Sequence, residues 1–412
     1  MYAYAFLGDF VLLYPVYALL FAATGLSTAE ISSLFVVWAL TSILVEVPSG
    51  VWADAYSRKR LLALAPLVTA AGYAAWTFFP SYGSFALGFV LWGAGGAIRS
   101  GTLQALVYEE LAALGRAGSY ARLTGRAEAI GMIAGMAATG LATPVMAAGG
   151  YLAVGVASVA ALLLGALVAR RFPESRAAPG PGSSPAADDP GAIPATEPGA
   201  VSAVEPSGPS EDGSGARSGH EEGLRAVLRA GLAEVRHTPP VRSAMVLVVV
   251  LMGVYSLDEY LPLLAGATGA GDAAVPLLVL PVTAATALGG WFAGRGTRWA
   301  APALAVAAVA LAAGALSGRP AGMALVAAAY GVFQWSMTAA ETRLQEHLTD
   351  RSRATVTSIA GLGADLVTTP VYALYGLGST WLGPGPLFAL AAVVYVLIAL
   401  GLWLGGRRPA KE

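Results

Sequence analysis

Apolar runs of membrane-spanning length recur along almost the whole sequence, and they constrain the fold more than any other feature. The chain has 412 residues, of which 56% are hydrophobic and only 12% are charged, whereas a soluble protein has about 25% charged residues. A helix needs about 20 apolar residues to cross the hydrocarbon core of a bilayer. The runs are too long and too continuous for the alternating strands of a membrane barrel. The sequence therefore predicts an all-α polytopic membrane protein.

Glycine and proline interrupt these runs at regular intervals, as at Phe79-Pro80 and Gly149-Gly150. The first run lacks a basic start and a clear cleavage site, so we expect it to be a retained helix rather than a signal peptide. The interruptions divide the chain into twelve predicted transmembrane helices. The predicted spans are 2–24, 28–53, 61–80, 83–112, 122–147, 150–170, 241–265, 273–294, 299–317, 320–347, 354–377 and 383–405.

Basic residues alternate from one connection to the next. The connections after the odd-numbered spans contain a single cation, Arg319. Because cytoplasmic loops are enriched in lysine and arginine, the even-numbered connections and both termini are predicted to face the cytoplasm, with the protein in the inner (plasma) membrane. The cations on that side are Arg58, Lys59, Arg60, Arg116, Arg122, Arg170, Arg171, Arg242, Arg295, Arg298, Arg351, Arg353, Arg407, Arg408 and Lys411.

One long polar segment separates two groups of six spans. Residues 173–222 are rich in proline, glycine, serine and acidic residues, and this composition predicts a disordered cytoplasmic linker. Residues 223–238 have apolar residues at helical spacing, which fits either an interfacial amphipathic helix or a stub that continues into the seventh span. The predicted bundles are therefore 1–172 and 239–412.

The connection after the second span contains the pattern Gly50-x-x-x-Asp54-x-x-Ser57-Arg58-Lys59, followed by Arg60. This pattern resembles the G-x-x-x-D-x-x-G-R-K/R signature of the major facilitator superfamily, with serine where glycine is usual. The stretches "EVPSG", "RSGTLQALVYEEL", "YARLTGRAEA" and "RATVTSIAGLGADL" further resemble a bacterial subgroup of drug or proton-coupled exporters.

The resemblance implies two pseudo-symmetric six-helix bundles that transport by alternating access. It also implies that Gly50, Asp54, Arg58, Lys59 and Arg60 form a gate latch, whose contacts exist in one conformation and break in the other. The alternative for these cations is topology anchoring alone.

Several ionisable residues fall inside predicted spans, where a charge is costly and therefore suggests a function. In the resembled fold, helices 1, 4, 7 and 10 line the central cavity. The candidates for proton coupling or substrate binding lie on helices 1, 4 and 7. They are Asp9, Arg99, Asp258 and Glu259. At 1.5 Å per residue, Asp9 and Arg99 fall at a similar depth. They are expected either to act in transport or to form a static buried ion pair.

The remaining candidates have other expected roles. Glu46, Arg126 and Glu128 are expected to form a structural network with Tyr108, Glu109 and Glu110. The candidates for structural or gate charges are Glu46, Glu109, Arg126, Glu341, Arg343 and Asp365. The candidates for lining the cavity, each of which can alternatively be a core-packing residue, are Tyr14, Tyr255, Gln334 and Trp335.

Composition disfavours catalysis. The chain has no cysteine and three histidines, all in or beside predicted loops, and it has no nucleotide-binding glycine loop. We therefore expect no enzyme activity, no cofactor, no metal and no nucleic-acid partner. The interpretation is a monomeric secondary transporter for proton-coupled efflux of a small amphipathic compound. An uptake symporter and a non-transporting, receptor-like protein of the same fold are the alternatives.

The predicted orientation can be tested by labelling, because the cysteine-free chain gives no background. Gly118→Cys lies in the connection after the fourth span, and Ser81→Cys lies in the connection after the third. We expect a membrane-impermeant maleimide to label Ser81→Cys in intact cells and Gly118→Cys only after permeabilisation. The opposite pattern, or labelling of both in intact cells, would contradict the orientation.

Overall fold

The computed structural model describes residues 1–173, 235–293, 295–348 and 353–406. Within its helices, the side chains of residues 46–55 and of a few other positions lie outside the described part. The described residues fold into helices joined by short turns and contain no strand. Most of the predicted linker and of the predicted amphipathic helix, namely residues 174–234, lies outside the described residues.

The N-terminal half contains helices of very different lengths. They are α1 Tyr2–Asp9, α2 Tyr17–Ala23, α3 Thr28–Ala55, α4 Arg58–Phe78, α5 Tyr82–Ala113 and α6 Tyr120–Ala169, with 3₁₀ turns at Tyr14–Val16 and Ala117–Ser119. We call the end of this bundle that contains Arg58, Arg116 and Arg170 the basic end, and the other end the opposite end.

The C-terminal half follows the same plan. Its helices are α7 Pro239–Tyr255, α8 Leu261–Gly266, α9 Val275–Trp291, α10 Ala300–Leu316, α11 Gly322–Glu346, α12 Arg353–Gly378 and α13 Pro384–Gly406, with 3₁₀ turns at Ser256–Tyr260, Asp272–Ala274 and Thr297–Trp299. In contacts between the halves, α3 packs against α12 and α6 packs against α9.

The helical, multi-pass class predicted from the sequence is confirmed. Every predicted span coincides in position with a helical segment of the described residues. Eight helical segments of the described chain are long and apolar enough to cross a membrane, and Ala300–Leu316 is apolar but shorter. The exact number of twelve crossings and the division into two bundles of six stay predictions.

The chain reverses direction in the middle of α6. Gly150 there has φ 62° and ψ −158°, a left-handed conformation that strains any residue with a Cβ. Gly131 lies against Asp9, and Gly165 lies against Leu7 on the same short helix α1. Two glycines so far apart in sequence contact one helix only because the chain folds back at Gly150, as the predicted boundary between the fifth and sixth spans requires.

The first span is not the continuous helix over 2–24 that its apolar run predicts. The helix ends at Asp9, Phe10 has φ −82° and ψ 65°, and regular α-helix resumes only at Tyr17. The hydroxyl of Ser158, on α6, accepts a hydrogen bond from the backbone N–H of Leu13 at 2.9 Å. Inside a membrane a freed backbone group needs such a partner, so Ser158 makes the break tolerable.

The seventh span contains the matching interruption. Between α7 and α8 the chain forms the 3₁₀ turn Ser256–Tyr260 instead of the continuous helix predicted over 241–265. Pro262 follows this turn near the start of α8, and Pro15 lies in the 3₁₀ turn Tyr14–Val16 that precedes α2. Proline cannot donate a backbone hydrogen bond, so it favours a helix start at these two places.

Aromatic side chains join the two halves near the opposite end. The ring of Phe35 lies 5.1 Å from the ring of Tyr260 and 5.3 Å from that of Tyr372. On the other side, Phe35 contacts the ring of Phe89 at 5.7 Å, within a larger aromatic cluster of the N-terminal half. All four rings are buried, so these contacts make the opposite end a tightly packed part of the interface.

Removing the Ser158 hydroxyl should destabilise the protein, because the Leu13 amide would be left without a partner in the core. We expect Ser158→Ala to lower the free energy of unfolding by about 1–3 kcal/mol, measured as a lower Tm of the purified protein in detergent. Ser243→Ala is the control, because the exposed Ser243 hydroxyl bonds only the carbonyl of Pro240 on its own helix. Equal Tm values for both variants would show that the break does not need Ser158.

Candidate functional site

The carboxylate of Glu259 connects the two halves. It lies on the 3₁₀ turn between α7 and α8 and is only 6% exposed. The hydroxyl of Tyr14 donates to its Oε1 at 3.0 Å, and the hydroxyl of Tyr17 donates to its Oε2. Both tyrosines follow the break in the first span, so the two interrupted helices meet at this carboxylate. In the described part of the chain, Glu259 has no basic partner.

Further contacts join the two halves at the opposite end. The hydroxyl of Tyr260 donates to Ser32 Oγ at 2.8 Å, and the hydroxyl of Tyr151 donates to Asp272 Oδ2 at 2.6 Å. Leu19 packs against Gly266. Each of these contacts joins the N-terminal half to the C-terminal half.

Asp258, the neighbour of Glu259, is half-buried. On a 3₁₀ turn, which has three residues per turn, adjacent side chains point about 120° apart. The two carboxylates therefore have different surroundings, and Glu259 is the one that bonds to the tyrosines of the other half.

Asp9 and Arg99 lie together, as their predicted depths suggest. The distance from Arg99 Nη1 to Asp9 Oδ1 is 3.4 Å, and the side chains are 40% and 41% exposed. The ion pair is present but only partly buried, because both side chains border the cavities described below; whether it acts in transport or is static stays a prediction. A single contact of this length is looser than the usual 2.7–2.9 Å of charged hydrogen bonds.

Two glycines make room for this ion pair. A Cβ at Gly8 would lie 2.6 Å from Arg99 Nη1, and a Cβ at Gly131 would overlap with the Asp9 carboxylate. The lack of side chains at these positions lets α1, α5 and α6 approach closely while two ionisable groups lie between them.

Two connected cavities surround the ion pair inside the N-terminal half. The upper cavity has a volume of about 300 Å³ and is lined by residues of α1, the turn after it, α4, α5 and α6, including Tyr14, Tyr73 and Trp92. The lower cavity, of about 240 Å³, extends towards Met1, Gln104 and Glu128 at the basic end. The residues that line both cavities are Tyr4, Asp9, Gly96 and Arg99.

Part of the gate motif lies at the start of α4. Arg58 forms an ion pair with Glu109 on α5. Ser57 has an extended backbone, and its hydroxyl accepts a hydrogen bond from the N–H of Arg60 at 3.3 Å. Serine therefore replaces the usual glycine as a helix cap. The side chains of Glu46 and Asp54, and the surroundings of Gly50, lie outside the described residues, so the latch stays a prediction.

The other aromatic and amide candidates have partners within the C-terminal half. Tyr255 donates to Thr286 Oγ1 at 3.4 Å, Gln334 donates to Thr338 Oγ1 at 3.2 Å, and Trp335 Nε1 donates to the carbonyl of Arg295 at 3.1 Å. None of the three donors lines the two cavities around Asp9 and Arg99, whereas Tyr14 lines the upper one.

The remaining charged candidates are spread over the molecule. Arg126 and Arg343 are exposed, whereas Glu341 and Asp365 are half-buried. Glu109, predicted from the sequence to lie in a network with Arg126, forms an ion pair with Arg58. Among the described residues, no cluster of three or more His, Cys, Asp or Glu side chains is arranged to hold a metal ion.

Sequence reasoning missed several residues of this site. Four of them look in the sequence like ordinary residues of an apolar helix: Tyr17, Tyr73, Trp92 and Ser158. The available signal was the placement of Pro15 and Pro262, since interrupted helices at corresponding places in the two halves indicate a binding site in transporters. Tyr17 lies one helical turn beyond Tyr14 and shares its face.

Comparison with known proteins gives the family and the fold. A family model described as "Major Facilitator Superfamily" matches residues 1–368. A bacterial homologue of the human lysosomal transporter Spinster, in an inward-facing and unoccupied conformation, has a similar structure (TM-score 0.66, 16% identity, 98% of this chain and 94% of that chain). The nucleoside transporter NupG is also similar, with a TM-score of 0.65 and 13% identity over 98% of this chain and 98% of that chain. A D-xylose-proton symporter has a TM-score of 0.62 and 14% identity over 97% of this chain and 94% of that chain. No curated protein has a significantly similar sequence.

The Glu259 contacts should control access from the opposite end. Ser32 is 1% exposed and bonds to Tyr260, so Ser32→Cys should react slowly with a water-soluble maleimide. Adding Glu259→Ala removes both tyrosine hydrogen bonds, each worth about 1.5–3 kcal/mol, and should raise the rate about ten-fold or more. Glu30→Gln is the control, because this exposed carboxylate at the same end bonds only Ser27. An unchanged rate in a folded Glu259→Ala protein would contradict this assignment.

Proposed function

Because the chain belongs to the Major Facilitator Superfamily, we propose that it is a secondary active transporter that exports a small amphipathic organic compound in exchange for protons. The transporter works by alternating access: the two halves enclose the substrate and open to one side of the membrane at a time. The observation that carries the proposal is the buried Glu259 carboxylate, which accepts hydrogen bonds from Tyr14 and Tyr17 of the other half.

The chemistry of this contact couples proton binding to opening. Ionised Glu259 accepts from both hydroxyls, and these bonds compensate for burying its charge. A protonated Glu259 has one hydroxyl of its own and fewer acceptor sites, so the contacts with the tyrosines weaken or rearrange. The free-energy difference between the closed and the open opposite end therefore changes with the proton occupancy of Glu259.

The charge distribution supports a specific orientation for this cycle. If the basic end faces the cytoplasm, the closed opposite end faces outwards, and the cavities around Asp9 and Arg99 open inwards. A compound from the cytoplasm or the inner leaflet can then reach the ion pair through the lower cavity. The ion pair of Arg58 with Glu109, on the same side, belongs to the proposed gate latch.

Uptake by proton symport is the second candidate. A fold neighbour is titled a D-xylose-proton symporter, so the fold is compatible with inward transport. The same Glu259 contact couples protons in either case: in symport the proton and the substrate are bound together when the halves reorient, whereas in exchange they are bound in alternation. The sign of the response to an imposed pH gradient distinguishes the two.

The proposal predicts that Glu259→Gln abolishes proton coupling. The substrate for the assay is the compound that most raises the Tm of the purified protein in a screen of dyes, antibiotics and metabolites. In proteoliposomes, the wild type should move this compound against its gradient when a pH gradient is imposed, with the compound moving opposite to the protons. Glu259→Gln should reduce gradient-driven flux to that of protein-free vesicles but still bind the compound, since the amide side chain preserves the shape of the contact.

Glu30→Gln is the matched control and should transport like the wild type. Retained coupling in Glu259→Gln would refute the role of this carboxylate. Movement of compound and protons in the same direction would replace export with uptake.

A further inference from the structure

The cavities around Asp9 and Arg99 suggest a substrate class. We propose that they bind a small zwitterion whose ammonium and carboxylate groups lie close together and are attached to an apolar or aromatic body. The proposal rests on the transport function above but concerns a neighbouring site: the cavities lie inside the N-terminal half and Glu259 does not line them, although Tyr14 borders the upper cavity and also bonds to Glu259.

The first argument is the unused bonding capacity of the ion pair. In the described part of the chain, Asp9 and Arg99 make one mutual contact, at 3.4 Å. A carboxylate has about four acceptor sites and a guanidinium has five donors, so most of this capacity remains open to the cavity. Both side chains are about 40% exposed, which places this capacity within reach of a bound molecule.

The second argument is charge complementarity. The two charges of the ion pair are adjacent and opposite, so a ligand with one charge would place it next to a like charge as well as an unlike one. A ligand with an ammonium and a carboxylate on neighbouring atoms can bind Asp9 and Arg99 at the same time, without leaving either charge unpaired. Besides tyrosine hydroxyls, the other charged groups that line the cavities are the α-ammonium of Met1 and the exposed carboxylate of Glu128, both in the lower cavity towards the basic end.

The third argument is the composition of the cavity wall. Tyr14, Tyr73 and Trp92 line the upper cavity above the ion pair, with the ring of Trp92 5.6 Å from that of Tyr73 and 6.0 Å from that of Tyr14. These rings offer apolar faces to the body of a ligand. The volume of about 300 Å³ is at the small end of the range for ligand pockets, about 300–1,000 Å³, so the ligand is small.

The test compares ligands that share a ring system and differ in charge. L-tryptophan is the zwitterion, tryptamine lacks the carboxylate, and indole-3-propionate lacks the amine. L-phenylalanine, phenethylamine and 3-phenylpropionate repeat the comparison with a smaller ring. Binding to the purified full-length protein is measured by calorimetry without a pH gradient. We expect at least one of the two zwitterions to bind about ten-fold or more tightly than its singly charged analogues, which corresponds to about 1.4 kcal/mol.

Substitutions assign the charges. Asp9→Asn should remove the preference for the zwitterion over the anion, and Arg99→Gln should remove the preference over the cation. The double variant Asp9→Asn/Arg99→Gln leaves no unpaired charge, so its Tm shows whether the protein folds without the ion pair. Gly131→Ala should weaken zwitterion binding because the added methyl displaces the Asp9 carboxylate. Gly125→Ala, on the same helix with no atom near the added methyl, is the matched control and should bind normally.

Equal binding of the cation or the anion, or no binding of either zwitterion, would overturn this inference. Neither result would affect the proton-coupling role of Glu259, which is measured with whichever compound the stabilisation screen finds. Conversely, retained coupling in Glu259→Gln would refute the proton-coupling role of this carboxylate and leave the cavity assignment intact, provided that the zwitterion still binds.

Discussion

The hydrogen bonds from Tyr14 and Tyr17 to Glu259 are the interaction on which the arrangement of the two halves depends. Burying a carboxylate away from water is costly unless strong donors replace the lost solvation. Here the donors come from one half and the acceptor from the other, so while this end is closed to water the carboxylate is satisfied through the contact between the halves. The aromatic rings around Phe35 and Tyr260 add packing to the same region.

Both partners of this contact are presented by interrupted helices. The break after Asp9 places Tyr14 and Tyr17 on a new helical start, and the 3₁₀ turn Ser256–Tyr260 exposes Glu259 to them. The same break ends α1 at Asp9, beside Arg99 and the cavities. One interruption therefore positions both the contact between the halves, on the side of the opposite end, and the ion pair, on the side of the basic end. In our proposal, these are the proton-coupling and substrate-binding parts of the transporter.

Much of this could be read from the pattern of residues, because a membrane imposes strict rules on a chain. Each predicted crossing coincides with a helical segment, since apolar length alone decides which segments can span. Counting residues along two helices placed Asp9 and Arg99 at a similar depth, which made a contact between them geometrically possible. The partial exposure of this pair did not follow, because it depends on cavities formed by several helices and on the space left by Gly8 and Gly131.

The sequence by itself determined the helical class, the approximate places of the spans and the alternation of basic connections, since apolar length and the number of cations are local properties of the chain. Only the tertiary structure decided where the first and seventh helices break and which groups meet there. Ser158 stabilises the backbone at Leu13, and Tyr17 reaches Glu259; in each case the partner lies far away along the chain. A helix break in lipid is tolerated only where such a partner satisfies the freed backbone groups, and local sequence does not contain that partner.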